Sequence, residues 1–137
     1  ADVMATLRAH QQGVIDRLMD EAIAIAGHTA ESYGLQVTTE LKEPFPSTAN
    51  DDGVVGILEQ AAGKVSLEIT SREIPFAWSE DFGHFTAEHK GALFGLGAGE
   101  DHPVLHHPEY DFPDDLIEPG IAVFEAAIEL IQDKGDV

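Results

Sequence analysis

The sequence contains no cysteine and few basic residues. Without cysteine this chain forms no disulfide and offers no thiolate to a metal ion. Its 7 Lys and Arg residues stand against 26 Asp and Glu residues, which gives a formal net charge of −19 at pH 7. A surface of that sign repels nucleic acid phosphates and anionic membranes. We therefore expect no nucleic acid partner and no membrane partner.

Long apolar runs are also missing. No stretch approaches the roughly 18 apolar residues of a membrane-spanning helix, and the N-terminus lacks the basic and then apolar order of a signal peptide. We therefore expect a soluble, cytoplasmic protein. The 137 residues are enough for one compact domain or parts of two. Because the chain starts at Ala1 and enters an apolar stretch almost at once, we expect it to be a piece of a longer protein.

The N-terminal third predicts a strand, a helix and a second strand. Apolar residues recur at the helical period between about residues 11 and 33, and Gly34 stands where a C-terminal cap is expected. The flanking residues 3–9 and 35–41 have the composition of strands. Residues 44–52 combine two prolines with Ser, Thr, Asn and Asp, so neither helix nor sheet continues through them. We place the domain boundary there.

The rest of the chain predicts two longer helices separated by strands. Residues 53–64 form a helix capped by Asp51 or Asp52, residues 65–70 a strand, and residues 77–85 a short helical turn capped by Ser79. The glycine-spaced apolar run at 92–99 predicts a strand buried on both faces. Asp114 or Asp115 caps the last helix. Its predicted core stripe consists of Leu116, Ile117, Ile121, Phe124, Ala127, Ile128 and Ile131. The mixture of helices and strands predicts an α/β fold.

Residues 105–115 place two imidazoles, His106 and His107, among four carboxylates. Neutral imidazole is a frequent metal ligand, and nearby carboxylates orient its ring. Adjacent side chains point in different directions in an extended loop, so only one of the two meets a given metal. The alternative is a solvated acidic loop with two surface histidines. The other histidines, His102 included, are typical of surface positions.

Two further places carry candidate chemistry. Glu80 and Asp81 form an acidic pair beside Trp78 and Phe82, which indicates carboxylates against an apolar surface, although helix capping explains them equally well. Arg8 ends the first predicted strand. A guanidinium binds a carboxylate through two parallel hydrogen bonds, but a lone Arg is usually part of a surface ion pair.

Several motifs occur in one order along the chain. They are Thr-Leu-Arg at 6–8, Phe-Pro-Ser-Thr-Ala-Asn-Asp at 45–51, Ser-Glu-Asp-Phe at 79–82, Phe-Gly-Leu-Gly at 94–97, and Leu-His-His-Pro followed by Asp-Phe-Pro-Asp-Asp at 105–115. This set resembles the C-terminal portion of the metal-dependent amidohydrolases and peptidases, the family of hippurate hydrolase, N-acyl-amino-acid amidohydrolase (aminoacylase), auxin-conjugate hydrolase and carboxypeptidase G. The first motif departs from the family's Gly-Thr-Leu-Arg, since Ala5 replaces the glycine.

The resemblance implies an architecture in two parts. Residues 1–45 would be part of an α+β lid or dimerisation domain, and residues 46–137 the C-terminal part of a zinc-peptidase-like catalytic domain. His106 would be one ligand in a site for two divalent metal ions, zinc or manganese, whereas His107 occupies a variable position. Arg8 would bind the carboxylate of the substrate, and Glu80 and Asp81 would shape its pocket. The family's other ligands, in a His-x-Cys-Gly-His-Asp motif, a Glu-Glu pair and a further His, are not in this sequence.

The implied activity is hydrolysis of the amide bond of an N-acyl amino acid or small peptide, by an enzyme that forms a homodimer through its lid. Because the catalytic Glu and most ligands are missing, we expect this chain alone to be inactive. Two alternatives remain open. One is a truncated, non-catalytic homologue that acts as an oligomerisation or binding module. The other is an unrelated acidic metal-binding domain that uses His102, His106 and nearby carboxylates.

Overall fold

A computed structural model describes residues 1–76 and 81–134 of the chain. These residues form α1 (Gln12–Ser32), α2 (Asp52–Lys64), α3 (Phe82–Glu88), a 3-10 turn (Asp114–Leu116) and α4 (Ile117–Lys134). The chain divides into two compact units. Unit 1 comprises Ala1–Ala49 with Ile74–Glu88, and unit 2 comprises Asn50–Glu73 with His89–Val137. The predicted division into a lid part and a catalytic part stays a prediction.

No strand occurs among the described residues, so the predicted α/β fold, with its α+β lid, is wrong. Three of the predicted strands, at residues 3–9, 35–41 and 92–99, lie outside regular structure. The fourth, at residues 65–70, follows the end of α2 and is also irregular. A strand needs a neighbour that accepts and donates its backbone hydrogen bonds, and strand propensity reflects packing on a half-buried sheet. The described residues form no such sheet. Val3 is 94% exposed and Leu35 67% exposed, so these predicted strands have no packed face.

Helix α1 confirms the first predicted helix and its cap. Gly34 has φ +65°, its N–H donates to the Glu31 carbonyl over 3.0 Å, and the Leu35 N–H donates to the Ala30 carbonyl over 2.8 Å. This pair of bonds is the Schellman motif, which satisfies the last carbonyls of a helix and favours glycine at the left-handed position. The end of α1 could therefore be predicted from local chemistry.

Helix α2 confirms the second predicted helix, with Asp51 rather than Asp52 as its cap. The Asp51 carboxylate accepts a hydrogen bond of 3.0 Å from the Val54 N–H. At the other end, the Ser66 N–H donates to the Gly63 carbonyl (3.2 Å) and the Leu67 N–H to the Ala62 carbonyl (2.9 Å). The bond pattern is again the Schellman motif, but here Ser66 holds the left-handed position, with φ +58°.

Helix α4 begins differently from the prediction. Its start is preceded by the 3-10 turn, whose N-cap is Pro113 with no side-chain cap bond, so the predicted capping role of Asp114 or Asp115 is wrong. Both acidic residues lie inside the turn. Pro119 lies in the first turn of α4, where its missing N–H costs nothing, as predicted.

The core of unit 2 lies between α2 and α4. Its buried residues are Ile57, Ala61, Val123, Ala126 and Ala127, with Leu58, Val65, Leu67 and Leu130 packed against them in part. The predicted stripe on α4 is therefore mostly wrong. Ile121, Phe124 and Ile128 are 53%, 58% and 55% exposed. Helix α4 is apolar on more than one face, so periodicity alone could not select the face that meets α2.

The described helices include none that is long and apolar enough to cross a bilayer. The cytoplasmic location stays a prediction. The predicted turn at 77–85 corresponds in part to α3, which begins at Phe82. Its predicted cap, Ser79, and its neighbour Glu80 lie outside the described residues.

Candidate functional site

His106 lies at the third position of a tight turn. The His107 N–H donates to the Val104 carbonyl over 3.0 Å, which closes the turn, and His106 has φ +68°. Turns with positive φ at the third position favour glycine or asparagine, because a β-carbon there meets the backbone. Such strained conformations in residues other than glycine are concentrated at functional sites. The side chain of His106 is exposed, so the turn presents an imidazole to its surroundings.

His107 is held by its own loop. Its Nδ1 accepts a hydrogen bond of 3.2 Å from the Glu109 N–H, and its carbonyl accepts one of 2.9 Å from the Tyr110 N–H. The first of these bonds requires Nδ1 to be unprotonated, which leaves the hydrogen of a neutral ring on Nε2. The two adjacent histidines therefore have different local roles.

His102 joins the two ends of the segment that carries His106. Its Nδ1 lies 2.9 Å from the Pro103 carbonyl oxygen and its Nε2 lies 2.8 Å from the Asp111 carbonyl oxygen. Its ring also meets the ring of Tyr110 edge to face, with centroids 5.1 Å apart. We name residues 102–111 the histidine loop. Sequence reasoning treated His102 as a surface residue, because no local pattern distinguishes a bridging histidine from an exposed one.

Within residues 1–76 and 81–134, no group of three His, Cys, Asp or Glu side chains lies close enough together to hold a metal ion. Catalytic zinc takes three protein ligands and a water molecule. Both ring nitrogens of His102 already face carbonyl oxygens, so in this conformation His102 adds no ligand to His106. The described part of the chain does not fit a metal ion by itself, and it supports no catalytic step through one.

The Asn-Asp of the 45–51 motif has a clear structural role. The Asn50 amide donates to the Leu93 carbonyl, and its oxygen accepts from the Leu93 N–H, both over 2.9 Å. The Asp51 N–H donates to the Gly91 carbonyl over 2.9 Å, while its side chain caps α2. In a sheet, a neighbouring strand would make the two backbone bonds of Leu93. Here the Asn50 side chain makes them instead. The two residues attach the apolar run 92–99 to the start of α2.

The turn around Asp81 meets the same motif in unit 1. A β-carbon on Gly83 would clash with the Pro46 carbonyl oxygen, so only glycine fits where the first turn of α3 approaches residues 46–47. The Ser47 N–H donates to the Gln12 side chain over 3.0 Å, which attaches the same segment to the start of α1. Sequence reasoning missed Gly83. It follows Ser-Glu-Asp-Phe directly, and a glycine inside a short helix was the available signal.

The predicted substrate-binding residues are only partly described. Arg8 and Asp81 are both exposed and both belong to unit 1. The Asp81 carbonyl accepts a hydrogen bond of 2.9 Å from the His84 N–H at the start of α3. Glu80 lies outside the described residues, and His106 belongs to unit 2. The binding roles of Arg8, Glu80 and Asp81, and the ligand role of His106, stay predictions.

Unit 2 also has a shallow groove of about 250 Å³. It is lined by Val65, Leu67, Asp115, Glu118, Pro119 and Ala122. Its polar side chains are two carboxylates, and none of the predicted site residues lines it. The groove therefore adds no group to the predicted site.

The sequence model of peptidase family M20/M25/M40 matches residues 5–130. The chain belongs to this family. The membership confirms the resemblance found in the sequence motifs, and it rules out the alternative of an unrelated acidic metal-binding domain. Members of family M20/M25/M40 are generally metal-dependent.

Two relatives of this family show how much of a complete protein the chain covers. The "N-acetyl-L-cysteine deacetylase" of Bacillus subtilis (strain 168) is 22% identical over 130 residues, which are 94% of this chain and 31% of the relative. The "Probable hydrolase sll0100" of Synechocystis sp. is 29% identical over 112 residues, which are 75% of this chain and 28% of the relative. The chain thus spans about a third of the length of these curated relatives. No solved structure matches it significantly.

Proposed function

We propose that the chain is part of a metal-dependent amidohydrolase or peptidase that hydrolyses the amide bond of N-acyl amino acids or small peptides. The family match over residues 5–130 supports a hydrolase. The relative named as a deacetylase of N-acetyl-L-cysteine supports an N-acyl amino acid as substrate. Removing the acetyl group from such a molecule breaks an amide bond, which is the reaction proposed here.

The observation that carries the proposal is the conformation of His106. The turn holds this residue at φ +68°, at a position that favours glycine, and leaves its side chain exposed. A strained backbone persists where the surrounding structure holds it, and such residues are concentrated at functional sites. We assign His106 as a ligand of one of two divalent metal ions, zinc or manganese, whose other ligands lie outside this chain. Arg8, Glu80 and Asp81 then contact the substrate, and the lid joins two subunits into a homodimer.

We further propose that the chain has no hydrolase activity alone, because no three ligands converge in its described part. The test is to incubate the purified chain with zinc or manganese and a set of N-acetyl amino acids, and to measure both amine release and the metal retained after desalting. We expect no amine above the blank and no stoichiometric metal. Amine release that requires His106 would contradict the proposed inactivity.

The ligand role of His106 is tested in the full-length protein. Replacing a residue that only orients a ligand lowers metal affinity by roughly 10–100-fold, so we expect His106→Ala to lower it by at least about 100-fold. Amidase activity should fall with it. His107→Ala, one residue away in the same loop, is the matched control and should retain metal and activity. If His106→Ala retains as much metal as a fully loaded His107→Ala control, His106 is not a ligand.

A truncated, non-catalytic homologue that acts as an oligomerisation or binding module is a second candidate. It is supported by a second face of α4, where Ile117, Ile121, Ile128 and Ile131 are 44–55% exposed. Contiguous exposed apolar surface is typical of protein interfaces. Light scattering over a concentration series tests association through this face: self-association that is lost when Ile121→Asp and Ile128→Asp are combined supports the module, whereas a monomer at all concentrations argues against an oligomerisation role.

A further inference from the structure

The bonding of His102 sets a requirement on its protonation. Both of its ring nitrogens face backbone carbonyl oxygens, at 2.9 Å for Pro103 and 2.8 Å for Asp111. A carbonyl oxygen only accepts hydrogen bonds, and a neutral imidazole carries a hydrogen on one nitrogen alone. In the neutral ring one nitrogen would therefore direct its lone pair at a carbonyl oxygen. Only the doubly protonated ring donates to both.

The two carbonyls belong to opposite ends of the histidine loop. Pro103 follows His102 directly, whereas Asp111 is nine positions away. Between them lie the two backbone bonds that shape the loop, from the His107 N–H to Val104 and from the Tyr110 N–H to His107. His106 occupies the strained position of the first of these turns. A bridge between the two ends of the histidine loop restricts the conformations of the segment that contains the strained His106.

The hydrogen-bond and ring contacts of His102 lie within the histidine loop: Pro103, Asp111 and the T-shaped contact with Tyr110. The acidic residues near it in the sequence are Asp101, Glu109 and Asp111, all exposed. Their carboxylates are accessible to water and salt, which weaken their fields at the ring. The two carbonyl bonds are thus the directional contacts that distinguish one protonation state of His102 from the other.

We propose that His102 is the positioning residue of the histidine loop: its doubly protonated ring bridges Pro103 and Asp111 and holds the turn that presents His106. Loss of one proton from the ring removes one bond of the bridge and loosens the loop. Loop order is therefore lower when the ring is neutral than when it is doubly protonated. The inference concerns the conformation of this loop, and it is independent of amide hydrolysis by the full-length protein.

The test is NMR on the isotope-labelled 137-residue chain. Long-range proton–nitrogen spectra of the imidazoles report whether His102 carries one or two ring hydrogens. Hydrogen-exchange protection factors of the His107 and Tyr110 amides report the two bonds of the loop, and the Leu116 amide, which donates to the Pro113 carbonyl over 2.9 Å, is an internal reference outside it. Spectra are recorded at several pH values, and the ring signals themselves report the protonation state of His102 at each one.

We expect the protection of His107 and Tyr110, relative to Leu116, to be about fivefold lower with the neutral His102 ring than with the doubly protonated ring, which is the effect of one ordinary hydrogen bond. His102→Gln retains one donor group and should show low protection that no longer depends on pH. His28→Gln, which removes an exposed imidazole from α1, is the matched control and should behave as the unmodified chain does.

Two outcomes would overturn the proposal. The first is equal relative protection of the loop amides in both protonation states of His102 in the unmodified chain. The second is an unchanged pH dependence in His102→Gln, which would mean that another group controls the loop. Circular dichroism of each variant verifies that the helices remain formed, so that a change in loop protection is not a consequence of unfolding.

Discussion

At the scale of single residues, a positive φ angle occurs both at an ordinary structural position and at a candidate functional one. Ser66 (φ +58°) ends α2, where glycine performs the same task with less steric strain. His106 (φ +68°) occupies a turn position that also favours glycine, yet it carries the imidazole of a family motif. The Ser66 side chain has no such chemistry to offer. We therefore expect the strain at Ser66 to be removable and the strain at His106 to be tied to its function.

Ser66→Gly should stabilise the chain. The left-handed region costs a residue with a β-carbon about 1–2 kcal/mol, and glycine gives back part of that through its greater freedom in the unfolded chain. We expect a net gain of about 0.5–1 kcal/mol in the free energy of unfolding, measured by urea denaturation. Ser71→Gly, at an exposed position without positive φ, is the control and should give no gain. A stabilisation of equal size in both variants would refute the explanation.

At the scale of secondary structure elements, α4 shows what a hydrophobic pattern leaves undecided. One of its faces packs on α2 through Val123, Ala126 and Ala127, and another exposes Ile121 and Ile128. Both faces satisfy the helical period. The predicted stripe consisted mostly of large side chains, whereas the structure buries Val123, Ala126 and Ala127 against α2.

A matched pair of isoleucines tests which face forms the core. Ile57 is 4% exposed between the two helices, so Ile57→Ala should lower the free energy of unfolding by about 2–4 kcal/mol through lost burial and a new cavity. Ile128 is 55% exposed, so Ile128→Ala should change it by less than about 1 kcal/mol. Chemical denaturation of both variants gives the comparison. The reverse order would show that the predicted stripe is the core after all.

At the scale of the whole molecule, a net charge of −19 acts on a small core. The described residues include ion pairs, Lys64 with Glu129 and Lys42 with Glu40, each at 3.7 Å between exposed groups. Exposed pairs of this kind contribute little to stability. Repulsion among the surplus carboxylates opposes compactness. Stability should therefore depend strongly on ionic strength.

We expect the midpoint of thermal unfolding to rise when sodium chloride is increased from about 0.1 M to about 1 M, since the screening length falls from roughly 10 Å to roughly 3 Å. A variant with Gln in place of the exposed Glu21, Glu31 and Glu59 carries three fewer negative charges and should respond less to salt. Differential scanning calorimetry measures both. A midpoint that falls with salt, or a larger response in the variant, would contradict charge repulsion as the cause.

Some parts of the site could be predicted from the sequence and others could not. The motif order identified the family, and the two histidines among carboxylates at residues 105–115 indicated the His106 loop. The bridging by His102, the contact of Gly83 with Pro46 and the replacement of a strand by Asn50 were missed. Each of these is a contact between residues that are separated in the sequence. A local pattern does not identify the partner in such a contact.

The sequence by itself determined the family, the net charge, the helices α1 and α2, and their ends at Gly34 and Asp51, because motifs, composition and caps are local properties. Only the tertiary structure decided the absence of strands in the described residues and the buried face of α4. Both depend on a partner surface. A strand-like segment becomes a strand only beside another strand, and an apolar face becomes a core only where something covers it.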